Sequence, residues 1–416
     1  MAVSATLAVN EAVERARRAG RHVLPLGFGE AGLPVHAALR ERLAGAAGAN
    51  SYGPVAGLPE LRASAAGYWQ RRALPTTAEQ VVAGPGSKPL LYGLLAALEG
   101  DVALPRPSWV SYAAQATMLH QRAHFVATAA GQGGVPDPFA LAAAAGEARD
   151  RGRPLRSVVL TLPDNPTGTL ADRDRVAGVC AVAREHDLIV ISDEIYRDLV
   201  HDPATPYVSP AELIPERTVI TTGLSKNLAL GGWRLGVARL PASELGVMLR
   251  QQLLDIASEI WSSPPNPVQT VAAWAFTEPE VLRDHLAASR RLHGRVARAV
   301  AEVFAEVGAQ VARPEGGFYL YPDLGAHRES LGQRWGITDG PGLARVLLEE
   351  LDVATLPGAA FGDHREALRL RVATSLLYGP DELRRQTALM DADPVALPWV
   401  REGLGQLRGA LGRLVG

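Results

Sequence analysis

Between residues 81 and 240, short aliphatic and β-branched runs alternate with apolar positions at helical spacing. Val81-Val82-Ala83 reads as a short strand, followed by Gly84-Pro85-Gly86 and a helical pattern from about Ser87. Ser157 to Leu162 (SVVLTL) reads as a buried strand, residues 172–186 as a helix, and Leu188 to Ile191 (LIVI) as a second buried strand. Further strands are predicted at 218–221 and 235–240. Strands alternating with helices predict an α/β layer with a mostly parallel sheet. The pattern then changes. A long helical stretch covers 280–307, strand candidates follow at 317–321, 353–356 and 368–373, and a last helix is predicted over 399–414. This second pattern predicts a smaller α+β domain.

The chain has 416 residues, enough for two or three units at roughly 150 residues per domain. Hydrophobic residues make up 47% and charged residues 21%, as in ordinary soluble proteins. The net charge of -2 offers no dense basic face, so nucleic acid is not an expected partner. No apolar run is long enough for a membrane span, and the start of the chain lacks a signal-peptide pattern. A cytoplasmic protein is the expectation. Cys180 is the single cysteine, so no intrachain disulfide can form, and its helical neighbours make it a core residue. No metal site is expected.

Several polar residues fall where strands should end. Lys226 closes Thr221-Thr222-Gly223-Leu224-Ser225-Lys226, and Arg234 follows in Gly231-Gly232-Trp233-Arg234-Leu235-Gly236. Asp193 stands at the carboxyl end of LIVI in Ser192-Asp193-Glu194-Ile195-Tyr196, the edge where open α/β sheets bind ligands. Asn165 begins Asn165-Pro166-Thr167-Gly168 after SVVLTL. Gly84-Pro85-Gly86-Ser87-Lys88 joins a strand to a helix, where free N–H groups and the Ser87 hydroxyl suit a phosphate. Each has a bland reading: a surface lysine, a capping Asp, an Asn-Pro turn, an N-cap Ser. Together they meet the needs of pyridoxal 5′-phosphate (PLP). Lys226 supplies the Schiff-base amine, Asp193 faces the pyridine nitrogen, and Tyr196 and Asn165 reach the 3′ oxygen. Ser87 and Arg234 hold the phosphate, and Trp109 lies against the ring.

These motifs, in this order, resemble the class I/II aminotransferases of PLP fold type I, the aspartate aminotransferase superfamily. Ser51-Tyr52-Gly53-Pro54, the NPTG, SDEIY, SK and GGWRLG segments, and Pro357-Gly358-Ala359-Ala360-Phe361-Gly362 carry the resemblance over nearly the whole chain. It implies a PLP-dependent aminotransferase moving an amino group between an L-amino acid and a 2-oxo acid. It also implies a homodimer in which Tyr52 and the loop at Trp261 reach the neighbouring subunit's site. Lys88, through its backbone, joins the phosphate group, with Ser225 as a partial substitute for a serine missing at Gly223. Gly29 and Arg369 are the expected contacts to the substrate α-carboxylate. Arg371, two residues on, is read as facing away. The large PLP domain is expected over 46–290, with 1–45 and 291–416 forming the small domain between which the site lies. Phe28, Tyr112 and Trp261 are candidates for the side-chain pocket. The sequence departs from the family at Ala31-Gly32-Leu33-Pro34, at Asp164, at Gly223 and at Gly232.

Three other readings compete. Gly27-Phe28-Gly29-Glu30-Ala31-Gly32 matches G-x-G-x-x-G, but Pro25 interrupts the preceding strand and no acidic residue follows near position 52, so a dinucleotide fold is disfavoured. A PLP-fold regulator would need a DNA-binding domain ahead of the pattern that begins near residue 4. A same-fold enzyme of elimination, cyclisation or oxidation would share every cofactor residue, since fold does not fix the reaction.

Overall fold

The computed structural model describes residues 5–416; residues 1–4 of the expected small-domain segment lie outside the described residues. The strands, in chain order, are β1 (Leu24–Pro25), β2 (Val81–Gly84), β3 (Asp101–Arg106), β4 (Ala123–Ala127), β5 (Leu155–Thr161) and β6 (Ile189–Asp193). They continue with β7 (Thr218–Gly223), β8 (Gly236–Arg239), β9 (Tyr319–Leu320), β10 (Val353–Ala354), β11 (Leu356–Pro357) and β12 (Leu370–Ala373).

Seven strands form the main sheet in the order β2-β8-β7-β6-β5-β3-β4. Only β8 runs against the others, pairing antiparallel with both β2 and β7. The sheet is buried on both faces, as a mostly parallel sheet must be. Alternate residues divide between two cores. Val102, Leu104, Val159, Ile191 and Val219 meet the helices Ser87–Leu98 and Glu244–Ile260 on one side. Ala103, Val158, Leu160 and Val190 meet the helices Pro138–Asp150 and Arg173–Glu185 on the other. Asp172 starts the second of these helices by accepting from Arg175 N at 2.8 Å, satisfying an end donor.

β3 and β4 were not foreseen. Pro105 lies inside β3 and argues against an interior strand by itself. The candidate at 353–356 is two strands, not one: β10 pairs with β1, while β11 joins the antiparallel sheet β11-β12-β9. Around these small sheets lies a further core. Leu24, Leu26 and Leu33 pack there with residues from 288 onward, including the helix Pro398–Val415. The helix Ala37–Ala46 instead places Leu39 in the core of the main sheet. The helix Glu280–Glu306 runs without a break through position 290. No described helix is long and apolar enough to cross a membrane.

Candidate active site

Parallel strands deliver their ends to one edge, and the loops leaving that edge wall a cavity of about 550 Å³. β2 leads to Ser87 and Lys88, β5 to Asn165, β6 to Asp193 and Tyr196, and β7 to Ser225 and Lys226. Trp109, beyond β3, and Arg234, between β7 and β8, complete that wall. Gly29 from the N-terminal segment and Tyr319 and Arg371 from the small antiparallel sheet close the opposite side.

Asp193 is buried, and its donors are neutral: Tyr112 Oη at 2.8 Å and Thr221 Oγ1 at 3.2 Å. Burial pushes its carboxyl up to about 6, against the pull of those hydrogen bonds. A cationic ring nitrogen would relieve that penalty. Tyr112 lies under Trp109, edge to face at 5.2 Å, so its predicted place in a side-chain pocket is better described as support for Asp193. Trp261 lies outside the cavity wall, against the core on the Ser87 side of the sheet.

Lys226 Nζ donates to Gly29 O at 2.6 Å. Its surroundings strip water from the ammonium, and Arg371 repels it, so its amine is brought down to about 8. An amine near neutrality is a ready nucleophile toward an aldehyde. Tyr196 Oη sits 2.9 Å from Tyr319 Oη and receives the Asn165 amide at 3.5 Å. Tyr319 was not foreseen; nothing in Gly317-Phe318-Tyr319 marks it as more than core. Its hydroxyl explains the glycine at position 29, where a Cβ would meet Tyr319 Oη at 2.5 Å.

The helix Ser87–Leu98 has no side-chain cap at Gly86, and its first two residues, Ser87 and Lys88, line the cavity, where free end donors would meet a ligand. Gly86 has φ +96, and a Cβ there would stand 2.2 Å from the Arg234 guanidinium. The backbone donors and the guanidinium therefore close on one small space. Such donors around one small space suit a phosphate, and the residues present fit the 5′ group of PLP.

The structure corrects the expected carboxylate clamp. Arg369 lies outside the cavity, at the strand's start, paired with Asp323 at 2.8 Å and Asp363 at 3.1 Å. Arg371 lines the cavity instead, 1% exposed. Residues two apart on a strand share a face, so the expectation that Arg371 points away misapplied the period of two. What separates the two arginines is their partners. Arg371 donates to Gly27 O, its Nε has no partner, and burial lowers the guanidinium's pKa. Among the described residues it is a buried cation with no counter-anion in an ion pair. Tyr52 also lies away from this cavity, 94% exposed, on a loop held by Asn266 Nδ2 donating to Ser51 O at 2.7 Å.

The family model for aminotransferase class I and II matches residues 21–376, and the chain belongs to that family. An asparagine–oxo-acid transaminase of Streptococcus mutans is 30% identical over 404 residues, covering 94% of this chain and 97% of its own. An aspartate/prephenate aminotransferase of Thermus thermophilus is 31% identical, covering 90% and 93%. A solved structure of the Thermus thermophilus aspartate aminotransferase with maleate superposes with a TM-score of 0.82 at 27% identity, covering 99% and 97%. The chain is an enzyme that transfers amino groups between amino acids and 2-oxo acids.

Proposed function

We propose that the chain is a cytoplasmic, homodimeric aminotransferase that binds PLP in this cavity and acts on dicarboxylic amino acids or their amides. The carrying observation is a pair of ionisable side chains buried in one cavity with no oppositely charged partner among the described residues: Asp193, held by the Tyr112 and Thr221 hydroxyls, and Arg371, held by Gly27 O with its Nε unpartnered. PLP with an amino-acid substrate supplies both partners, a pyridinium and an α-carboxylate. When bound, PLP supplies an aldehyde for amines and a ring that accepts the electrons of the Cα–H bond.

The chain's residues would do the rest. Asp193 would pair with the ring nitrogen. The helix end at Ser87 and the Arg234 fork would hold the phosphate, with Ser225 beside them, and Trp109 would lie against the ring. Asn165 and Tyr196 would donate to the 3′ oxygen. Arg371 would orient the substrate by its α-carboxylate, beside Gly29. Lys226 would supply the amine that holds the cofactor and the base that moves the Cα proton.

Charge counting supports the substrate class. The cavity wall carries four cationic side chains, Lys88, Lys226, Arg234 and Arg371, against the acidic Glu30 and Asp193. Arg234 is assigned to the phosphate, Arg371 to the α-carboxylate and Lys226 to the chemistry. Lys88 is left, its Nζ 4.9 Å from the Trp109 ring centroid, for a side-chain carboxylate or amide. The asparagine and aspartate enzymes among the relatives, and the Thermus thermophilus structure with the dicarboxylate maleate, agree with that class. Tyr52, held outward, is suited to complete the phosphate cup of a second copy, and the single buried Cys180 suits a reducing compartment.

Reduction with borohydride after loading with PLP should leave the cofactor covalently on the Lys226 peptide by mass spectrometry. A donor screen against 2-oxoglutarate and pyruvate should then rank aspartate, glutamate and asparagine above alanine and leucine. Label on another lysine, or a preference for leucine, would overturn the site or the substrate class respectively.

A further inference from the structure

A carboxylate outside the cavity ties together the two segments that carry Lys226 and Tyr196. Asp198 follows Tyr196 by two residues, in the short turn Arg197–Leu199. Its Oδ2 accepts from Asn227 Nδ2 at 3.0 Å, and Asn227 is the residue after Lys226. The Asn227 side chain works at both ends, because its Oδ1 accepts from Leu228 N at 2.8 Å. It thus fixes the backbone of the loop that leaves β7.

That loop needs fixing. It is closed by Leu230 N donating to Leu224 O at 3.1 Å, and Ala229 within it has φ +57, where a residue with a Cβ is strained. Asp198 is itself immobilised. Arg72 Nη2 meets its Oδ1 at 2.8 Å, and Tyr68 Oη lies 3.2 Å from both oxygens. Arg72 is locked in turn by two contacts to Glu278, at 2.6 and 3.0 Å. Arg72 holds the Asp198 carboxyl below its usual range although burial opposes this. The carboxylate is therefore a fixed, charged acceptor.

We propose that the Asp198–Asn227 hydrogen bond is a positioning device that sets where the Lys226 amine stands relative to Tyr196. The proposal rests on the reading of Lys226 as the reacting amine. Neither Asp198 nor Asn227 lines the cavity, so they act through their neighbours. Misplacement of a reacting group by about 1 Å can cost about 100-fold in rate, whereas cofactor and substrate contacts made elsewhere persist. The bond's loss should therefore appear in kcat more than in KM.

Asn227→Ala is the main variant, because it removes no charge and leaves the Asp198–Arg72–Glu278 network in place. Its kcat should fall by about 10- to 100-fold with KM within about threefold of the parent. In the cofactor-free protein, the pH midpoint for modification of Lys226 by an amine-directed reagent, read on its peptide, should rise by about one pH unit as the amine gains water. Asn227→Asp opposes two carboxylates and should be at least as impaired. The exchange Asp198→Asn with Asn227→Asp restores a donor and an acceptor in reversed order and should recover much of kcat. Unchanged kcat and an unchanged Lys226 midpoint in Asn227→Ala would overturn the proposal, as would an exchange variant no better than Asn227→Asp. If Lys226→Ala itself keeps turnover, the reading of the site fails instead, and the amine titration tests the device separately.

Discussion

Replacing Arg371 and Arg369 in turn should give opposite signatures. Among the described residues Arg371 is buried with no anion, hydrogen-bonded to Gly27 O and flanked by the Tyr319 and Phe361 rings at 5.1 and 5.2 Å, whereas Arg369 is paired with Asp323 and Asp363. Arg371→Met removes the contact to the substrate α-carboxylate. Truncating one partner of a buried, hydrogen-bonded charge pair costs about 2–5 kcal/mol, or about 30- to 5000-fold in kcat/KM. The same change relieves the ligand-free protein of an unpaired buried charge. That gain, about 1–4 kcal/mol, exceeds or offsets the roughly 1 kcal/mol lost with the Gly27 bond. The melting temperature without ligand should therefore hold or rise. Arg369→Ala should do the reverse. It leaves Asp363, whose side chain is 1% exposed, with the Tyr321 hydroxyl at 2.9 Å as its remaining side-chain donor. Arg369 is itself 40% exposed, so the cost is discounted to roughly 1–3 kcal/mol of stability. Its kcat/KM should stay within about threefold of the parent. Steady-state kinetics paired with differential scanning fluorimetry of the cofactor-free proteins reads both. A clear loss of stability in Arg371→Met, or a collapse of kcat/KM in folded Arg369→Ala, refutes the assignment.

Two further outcomes follow from the same geometry. Asp164 is buried with Oδ1 unpartnered, and burial pushes its carboxyl up to about 7. The folded state thus holds that proton more tightly than the unfolded chain, so its contribution is complete below about pH 4 and lost as pH rises through about 7, worth about 4 kcal/mol in full. Asp164→Asn should gain about 2–3 kcal/mol over the parent between about pH 5 and 8.5 in urea titrations; an advantage independent of pH contradicts the burial argument. Mixing Tyr52→Ala with Lys226→Ala protomers, each impaired alone, should restore one intact site per mixed dimer and about half the parent's turnover in that species. No recovery on mixing would mean that Tyr52 serves no neighbouring site.

The sequence placed most of the cavity's lining residues together, and it missed two strands of the sheet that carries them. Lys226, Asp193, Asn165 and Ser87 could be read because each follows a run of buried strand residues, and strand ends share one edge. β3 and β4 could not, since Pro105 and Arg106 break the apolar run of one, and only Val126 of the other is fully withdrawn from solvent. Arg369 was named in place of the cavity-lining Arg371 because two arginines two residues apart are equivalent by periodicity. Only the carboxylates of Asp323 and Asp363, distant in sequence, decide which one is free. Tyr319 and Asp198 were invisible for the same reason. Their meaning comes from partners more than a hundred residues away for Tyr319, and about thirty and a hundred and thirty away for Asp198.

The helix Glu280–Glu306 spans about 40 Å at about 1.5 Å per residue. Its first turns place Leu282 in the core of the main sheet, while Leu292, Val296, Val300 and Phe304 belong to the core around the small sheets. One rod is thus shared by two hydrophobic interiors. Melting either interior strips one end of the rod of its packing and weakens the other, so the two halves are expected to denature together in a single calorimetric transition. A chain severed at position 290 would leave each fragment with part of a helix that neither can bury alone.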